Sequence, residues 1–353
     1  MTRAGGRVRR ALADGGREPE IRTPVSCPRA LIPVAVALLV AAPLPLAAQD
    51  ASSGLVGLSL PIGARVVGQG RAIGAARAEL QALTYNPAST FGLEGAEATY
   101  SRFQSASAAD VNGNYLAAGG PTRWGVISIH AIYLDYGEIP ITDTSPTPIG
   151  SIEVSDWAVG VTWSNQWRQK LAYGVTAKWL NADFGTVSAG GPAVDAGVIY
   201  EPKTSLPLSL AVSLRNVGPD LDFGGAEADG TTHSEALPSR VRVGIHYHPA
   251  TFPGLSGDYR LSLSFDIESV LEELATSSQH AGASIMMYDV VVVRGGLLLV
   301  DNPFDEVGGS TNRNTGGAVG VGVRLGDFEA DLARELSVSE LGDETHFSVS
   351  YRF

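Results

Sequence analysis

The chain has 353 residues, of which 44% are hydrophobic and only 18% charged, with 42 glycines and a formal net charge of −12. An ordinary charged share is about 25%, so the balance suits neither a disordered chain nor a typical cytosolic enzyme. It suits many strands with small side chains on one face. The acidic balance also argues against nucleic-acid binding, which needs a basic face.

Residues 1–28 show no periodicity and are set aside as an upstream extension. Ala30 to Leu46 is the one long apolar run, preceded by Arg29 and followed by Ala47-Ala48-Gln49-Asp50. A basic flank, an apolar centre and small residues before a polar start describe a secretory signal peptide, with cleavage expected near Ala48. Pro33, Pro43 and Pro45 in the run weigh against the alternative, an N-terminal membrane anchor. The single cysteine, Cys27, precedes the run, so it is not an acylation site by position, and the exported chain would have no thiol or disulfide chemistry. Residues 1–49 hold seven basic and three acidic residues, which leaves 18 basic against 34 acidic beyond them, a net of −16. After residue 50 no window offers the ~18 consecutive apolar residues of a spanning helix.

The next stretch, residues 49–95, differs from the rest. From Gly63 to Ala88 it reads GARVVGQGRAIGAARAELQALTYNPA. Ile73, Ala76, Leu80 and Leu83 recur at spacings of three and four, which predicts a helix over Arg71–Tyr85. Asn86-Pro87 would end it, because the residue before proline avoids the helical region. Gly63, Gly68 and Gly70 give the backbone freedom to turn or approach closely. Gly68, Gly70 and Gly74 also read GxGxxxG. That is one residue longer than the dinucleotide fingerprint, has no Walker lysine, and precedes no βαβ pattern. The expectation is a plug with a small helix, built on Gly63, Arg65, Gly68, Gly70, Leu80, Leu83, Asn86, Pro87 and Ala88.

From about Ala96 the sequence alternates with period two, the mark of strands with two unlike faces. Trp157, Val159, Val161 and Trp163 interleave with Ala158, Gly160 and Thr162. Val241, Val243, Ile245 and Tyr247 interleave with Arg242, Gly244 and His246. Fourteen strands are expected: Ala96–Gln104, Val111–Gly119, Arg123–Tyr133, Ser155–Gln166, Leu171–Asn181, Gly191–Tyr200, Leu206–Val217, Arg240–His248, Tyr259–Glu268, His280–Tyr288, Val290–Val300, Gly316–Leu325, Phe328–Arg334 and His346–Phe353. Links alternate in length. Short ones include Trp167–Lys170 and Gly326-Asp327; long ones include Leu134–Val154, Gly218–Ser239 and Asp301–Thr315. Pro249–Asp258 is the exception.

A soluble sandwich and a transmembrane barrel both produce such alternation. The barrel is favoured by aromatics near strand ends and by alternating short and long links. It is also favoured by the charges, which fall opposite the apolar face: Lys178, Arg215, Arg242, His246, Arg260, Asp266 and Arg324 would face the lumen. The chain closes on Phe347, Tyr351 and Phe353, a terminal aromatic pattern like the signal by which bacterial outer-membrane barrels are recognised for insertion. The expected fold is therefore all-β, a transmembrane antiparallel barrel over residues 96–353.

Other motifs carry less. Asp301, Asn302, Asp305 and Glu306 put oxygens close together without EF-hand spacing, and a solvated acidic loop accounts for them. Gly218–Ser239 holds five carboxylates and His233, and reads the same way. His246 and His248 share a strand face as a polar pair, and no HExxH occurs. GxSxG is absent. Nothing calls for an enzyme, a metal or a cofactor.

GARVVGQGRA (Gly63 to Ala72) followed by LTYNPA (Leu83 to Ala88) resembles the N-terminal signature of PorV/PorQ proteins, within the FadL-like (long-chain fatty acid transporter) outer-membrane barrels. SLRNVGP (Ser213 to Pro219), LPSRVRVGIHY (Leu237 to Tyr247), VGVGVRLGDFEADLA and HFSVSYRF extend the similarity over the exported chain. Relatives often carry two acidic residues where this chain has Ala78-Glu79. The resemblance implies a plugged barrel of about fourteen strands in a Gram-negative-type outer membrane. Its partners would be outer-membrane lipid and the barrel-assembly machinery. Its function would be binding or shuttling exported cargo in type IX secretion, or alternatively FadL-like uptake of hydrophobic small molecules. A structural barrel with a blocked lumen is the third expectation.

Overall fold

The computed structural model describes residues 60–105, 111–142, 148–202, 206–224, 233–249, 259–271, 274, 277–301, 313–336 and 343–353. The signal segment with Cys27, and Asn302, Asp305 and Glu306, lie outside them. Sixteen strands occur among the described residues: β1 (Glu97–Ser105), β2 (Asn112–Thr122), β3 (Gly125–Thr142), β4 (Pro148–Trp167), β5 (Leu171–Asp183), β6 (Ser188–Tyr200), β7 (Leu208–Val217), β8 (Leu221–Phe223), β9 (His233–Glu235), β10 (Arg240–Tyr247), β11 (Tyr259–Val270), β12 (Ser277–Met287), β13 (Val291–Asp301), β14 (Arg313–Leu325), β15 (Phe328–Leu336) and β16 (Glu344–Arg352).

Fourteen of them form one closed barrel in chain order, with β7 paired to β10; β8 and β9 make a separate two-stranded sheet. Every pairing is antiparallel, and β1 closes on β16 from Glu97↔Arg352 to Ser105↔Glu344. Closure leaves no free sheet edge, which is the condition for strands to sit in hydrocarbon. All fourteen expected barrel strands are present.

The expected loop over Leu134–Val154 is corrected. Pairing of β3 with β4 runs past an irregularity between Asp135 and Glu138 and resumes at Glu138↔Glu153 and Ile139↔Ile152. Gly137 takes φ 71 at that point, and its N–H donates to Asp135 Oδ1 at 2.8 Å. The bulge re-aims the hairpin and lets it project beyond its neighbours. At the opposite end the turns are tight. Arg168-Gln169 (φ 52 and 54) and Tyr288-Asp289 (φ 55 and 57) both adopt the positive φ pair of a type I′ hairpin.

The two faces of each strand separate cleanly. Val159, Val161, Val175, Trp179, Val243, Phe265, Val321 and Leu332 are exposed, while their inward neighbours Thr162, Thr176, Arg242, Asp266 and Asp331 are buried. A continuous apolar outer wall of this kind is stable against lipid and not against water. Exposed aromatics mark both ends of that wall, with Trp163 and Trp167 beside the tight turns and Tyr133 and Trp179 toward the long loops. No helix among the described residues is long and apolar enough to cross a membrane; the crossing is made by strands.

Residues 60–95 lie inside the barrel. Ala64 N donates to Ser348 Oγ of β16 at 2.8 Å, while Ser213 Oγ of β7 donates to Tyr85 O at 2.7 Å. A segment bonded to inward side chains on opposite walls must run between them. The helix expected over Arg71–Tyr85 is not formed. The helical turn is α1 (Ala64–Gly68), capped by Gly63 at φ 93, and Pro87–Thr90 is a short 3-10 turn. Between them Arg71 (φ 64) and Ala78 (φ 54) leave the helical region, and the backbone bonds outward. Ile73 N and Gly74 N donate to Asp266 Oδ2 at 2.9 and 2.7 Å. Wall side chains satisfy the amides that a helix would have satisfied internally.

Candidate functional site

The plug fits the wall through missing side chains. A Cβ on Gly68 would sit 3.1 Å from Gly320 Cα of β14, and one on Gly70 would sit 2.9 Å from Leu297 N of β13. On the other side Pro87 and Ala88 press on Gly174 of β5, and Asn86 presses on Gly197 of β6. These inward wall glycines are notches that admit plug backbone at van der Waals distance. Asn86 caps the 3-10 turn through Oδ1, accepting from Ala88 N at 3.0 Å, and donates from Nδ2 to Gly74 O at 2.7 Å. Pro87 occupies the first helical position, where no amide is needed. Leu80 and Leu83 are fully buried.

Charge fixes the same fit. Arg65 bonds Glu79 within the plug and Glu329 of β15. Arg71 makes a two-point contact with Glu335 of β15, Nε to Oε2 at 2.9 Å and NH2 to Oε1 at 2.5 Å. Arg77 bonds Glu201, at the end of β6, with its guanidinium 5.4 Å from the Phe91 ring. Three plug arginines therefore meet three wall carboxylates. Burial disfavours the Arg65 charge, but Glu79, Glu329 and Asp331 outweigh it and hold its pKa well above the ordinary value. In the reverse direction Arg242 of β10 donates to Arg71 O at 2.7 Å and to Asp266 Oδ2 at 2.8 Å. The Tyr85 ring lies 5.4 and 5.1 Å from the guanidinium carbons of Arg215 and Arg242.

The lumen has two unlike halves. One apolar cluster runs from Leu80 and Leu83 of the plug along Phe103, Tyr115, Ile132, Leu134 and Leu180 of β1–β5 to Leu221 and Phe223 of β8. The wall from β10 to β16 instead carries buried Arg242, Asp266, Glu268, His280, Arg294, Glu329, Asp331 and Glu335. Between the plug and the wall of β3, β4, β5 and β7, Leu60, Ile62, Thr84, Tyr85, His130, Ile132, Ala158, Lys178, Arg215 and Asn216 line a cavity of about 20 Å³. That is room for about one water molecule.

Of the residues predicted to face the lumen, Arg215, Arg242 and Asp266 are buried inside, Lys178 lies inside with its side chain 9% exposed, and each forms an ion pair. His246 points inward and bonds Ser264 Oγ at 2.9 Å. Arg324 pairs with Glu329 at 2.7 Å. Arg260 shares their strand face but stands at the rim, half-exposed, paired with Asp289. Phe347, Tyr351 and Phe353 face outward and are exposed. Sequence reasoning missed Glu329, Glu335 and Glu201 as partners of the plug. The only signal was a strand carboxylate on the face opposite the apolar one, and nothing in spacing tied it to an arginine over a hundred residues away.

The geometry is that of a plugged transmembrane β-barrel. No protein-family model and no curated protein sequence matches the chain. Solved structures do. The CymD monoaromatic hydrocarbon channel matches with a TM-score of 0.59 at 13% identity, over 86% of this chain and 99% of that one. The toluene transporter TbuX of Ralstonia pickettii gives 0.53 at 12%, over 82% and 98%. A Pseudomonas aeruginosa FadL homologue gives 0.51 at 11%, over 83% and 99%. At such identities the likeness is one of fold: this chain has the fold of FadL-like outer-membrane barrels. None of the three is a PorV or PorQ protein.

Proposed function

We propose that the protein is an outer-membrane channel that binds hydrophobic small molecules at its long-loop end and passes them toward the plug. The observation behind this reading is the one-sided apolar packing between plug and wall, one buried cluster that runs from Phe223 and Leu221 at the loop end through Leu180, Leu134 and Ile132 to Leu83. A hydrophobic ligand that parts this packing stays on apolar surface along its way from the loop end to the plug. The three fold neighbours named for hydrocarbons, toluene and FadL support the same direction. This puts uptake ahead of cargo shuttling, the reading the N-terminal motifs favoured.

The location that goes with it is the outer membrane, reached after removal of residues 1–48, with lipid on the apolar wall and the barrel-assembly machinery acting on the C-terminal strand. Cargo shuttling of the PorV/PorQ type keeps the support of the ordered motif set from Gly63 to Ala88. A deletion strain separates the two. Loss of uptake of a labelled hydrophobic compound with an unchanged secreted proteome supports the channel; the converse result overturns it. A barrel with a blocked lumen predicts neither effect.

A further inference from the structure

One corner of this acidic chain is basic and aromatic. Arg123 lies in the tight turn between β2 and β3, and Arg168 and Lys170 lie in the one between β4 and β5. Neither turn holds a carboxylate, and the three cations form no ion pair among the described residues. Glu201, whose N–H bonds Lys170 O, gives its carboxylate to Arg77. The Arg123 guanidinium lies over the Trp124 ring at 4.1 Å and that of Arg168 over the Trp167 ring at 4.6 Å. A guanidinium held on a ring keeps the N–H groups in its plane for a phosphate. Trp163 Nε1 and Asn165 Nδ2 of β4 both donate to Trp124 O, at 2.9 and 3.0 Å, which ties the two turns together.

Farther up the same strands the outer wall is hollow. A groove of about 630 Å³ opens on the lipid side of β2–β5, where Ala118, Ala131 and Ala177 stand among Leu116, Ile129 and Trp179. That volume lies within the ~300–1,000 Å³ of small-molecule sites. Val159 at the groove and Trp167 at the turn are eight residues apart on β4. At ~3.3 Å per residue and a tilt of ~45° they differ by roughly 19 Å in depth. Half a bilayer with its head groups is about 20–22 Å, so one lipid can hold its head at the turns and its chain in the groove. The far ends of these strands carry exposed Glu138, Glu153 and Asp183, which repel an anionic head group from the long-loop side.

We propose that the outer face of β2–β5 is a site for one anionic phospholipid of the leaflet on the tight-turn side. Its phosphate sits between Arg123 and Arg168 with Lys170 beside them, and its chain passes Trp163 into the groove. The inference rests on the outer-membrane location and is independent of what the lumen carries.

The test is native mass spectrometry of the detergent-solubilised full exported chain with dioleoyl-phosphatidylglycerol, dioleoyl-phosphatidylcholine and dioleoylglycerol. Expected is one tightly retained phosphatidylglycerol, bound about tenfold tighter than either other lipid. Arg123→Gln and Arg168→Gln should each weaken phosphatidylglycerol about fivefold and leave dioleoylglycerol unchanged. Ala131→Phe, which fills the groove from outside, should weaken both lipids about fivefold. Arg260→Gln, at another place on the same rim, should change neither. Heat-modifiable migration shows that each variant is folded. Equal retention of the three lipids overturns the proposal, as does an unchanged affinity in both arginine variants. An equal loss in Arg260→Gln also overturns it, because the lipid would then be a belt without a site. A chain that never inserts into phospholipid vesicles overturns the membrane location beneath it.

Discussion

Gly70 of the plug and Gly296 of β13 meet backbone to backbone. A side chain on Gly70 would lie 3.0 Å from Gly296 Cα and 2.8 Å from Ala281 O, and Gly70 itself is held at φ 61. Either residue with a Cβ must push the other away. Gly296→Val leaves the β12–β13–β14 ladder its own backbone bonds, so the barrel should still close while Gln69 and Gly70 are displaced. The expected outcome is a heat-modifiable barrel with higher conductance in planar bilayers than the parent. A folded Gly296→Val barrel conducting no more than the parent would count against residues 60–95 as the element that closes the lumen.

The Arg65 guanidinium joins Glu79 of the plug to Glu329 of the wall, and its side chain is 17% exposed. Glu329 keeps Arg324 at 2.7 Å and Arg294 at 3.5 Å when Arg65 is removed. Glu79 is left with the backbone N–H of Gln81 at 3.0 Å. Breaking one side of a buried pair costs about 3–5 kcal/mol, most of it from the stranded charge. Arg65→Ala should therefore lower the unfolding free energy obtained by urea titration in lipid vesicles by that order, and adding Glu79→Ala should recover part of the loss. If the double variant is no more stable than the single one, the cost does not come from a stranded Glu79.

The wall was legible in the sequence and the plug was not, for one physical reason. Strands such as β4, with Val159, Val161 and Trp163 outside and Ala158, Gly160 and Thr162 inside, separate two solvents, so period two is written into every residue. The segment from Arg71 to Tyr85 is enclosed on all sides, and Ile73, Leu80 and Leu83 are buried whatever turn they occupy. Its helix-like spacing thus carried no information about backbone. What sets that backbone is Asp266, nearly two hundred residues away. The long β3–β4 hairpin carries no such signal beyond Asp135, because Glu138, Ile139, Pro140 and Ile141 are exposed on both faces and no longer alternate. The inward glycines Gly174, Gly244 and Gly320 were visible as the small face of their strands, but only the folded plug explains why they are small.

Val321 of β14 sits across from Val293 and Leu332 on the outer wall, in the middle of its strand, and all three are exposed. Arginine at the midplane of a lipid-facing barrel surface costs about 2–4 kcal/mol. Val321→Arg should show that loss by urea titration in vesicles. The same protein in mild detergent, where the charge reaches water more easily, should lose less. Equal small losses in both media would mean that this face does not meet hydrocarbon.

Phe353 separates the finished fold from the process that makes it. Its ring is 79% exposed and stands edge-on to Tyr351 at 4.9 Å, while its N–H closes the barrel seam on Ala96 O at 2.8 Å through backbone alone. Truncating the ring therefore removes one exposed aromatic pair, worth about 0.5–1.5 kcal/mol, and no seam bond. If Phe347, Tyr351 and Phe353 are read by the assembly machinery, Phe353→Ala should reduce the protein in outer-membrane fractions severalfold. Barrel refolded from urea into detergent should by contrast unfold within about 1 kcal/mol of the parent. Equal losses in cells and in detergent would assign Phe353 to stability, and no loss in either would remove it from the assembly signal.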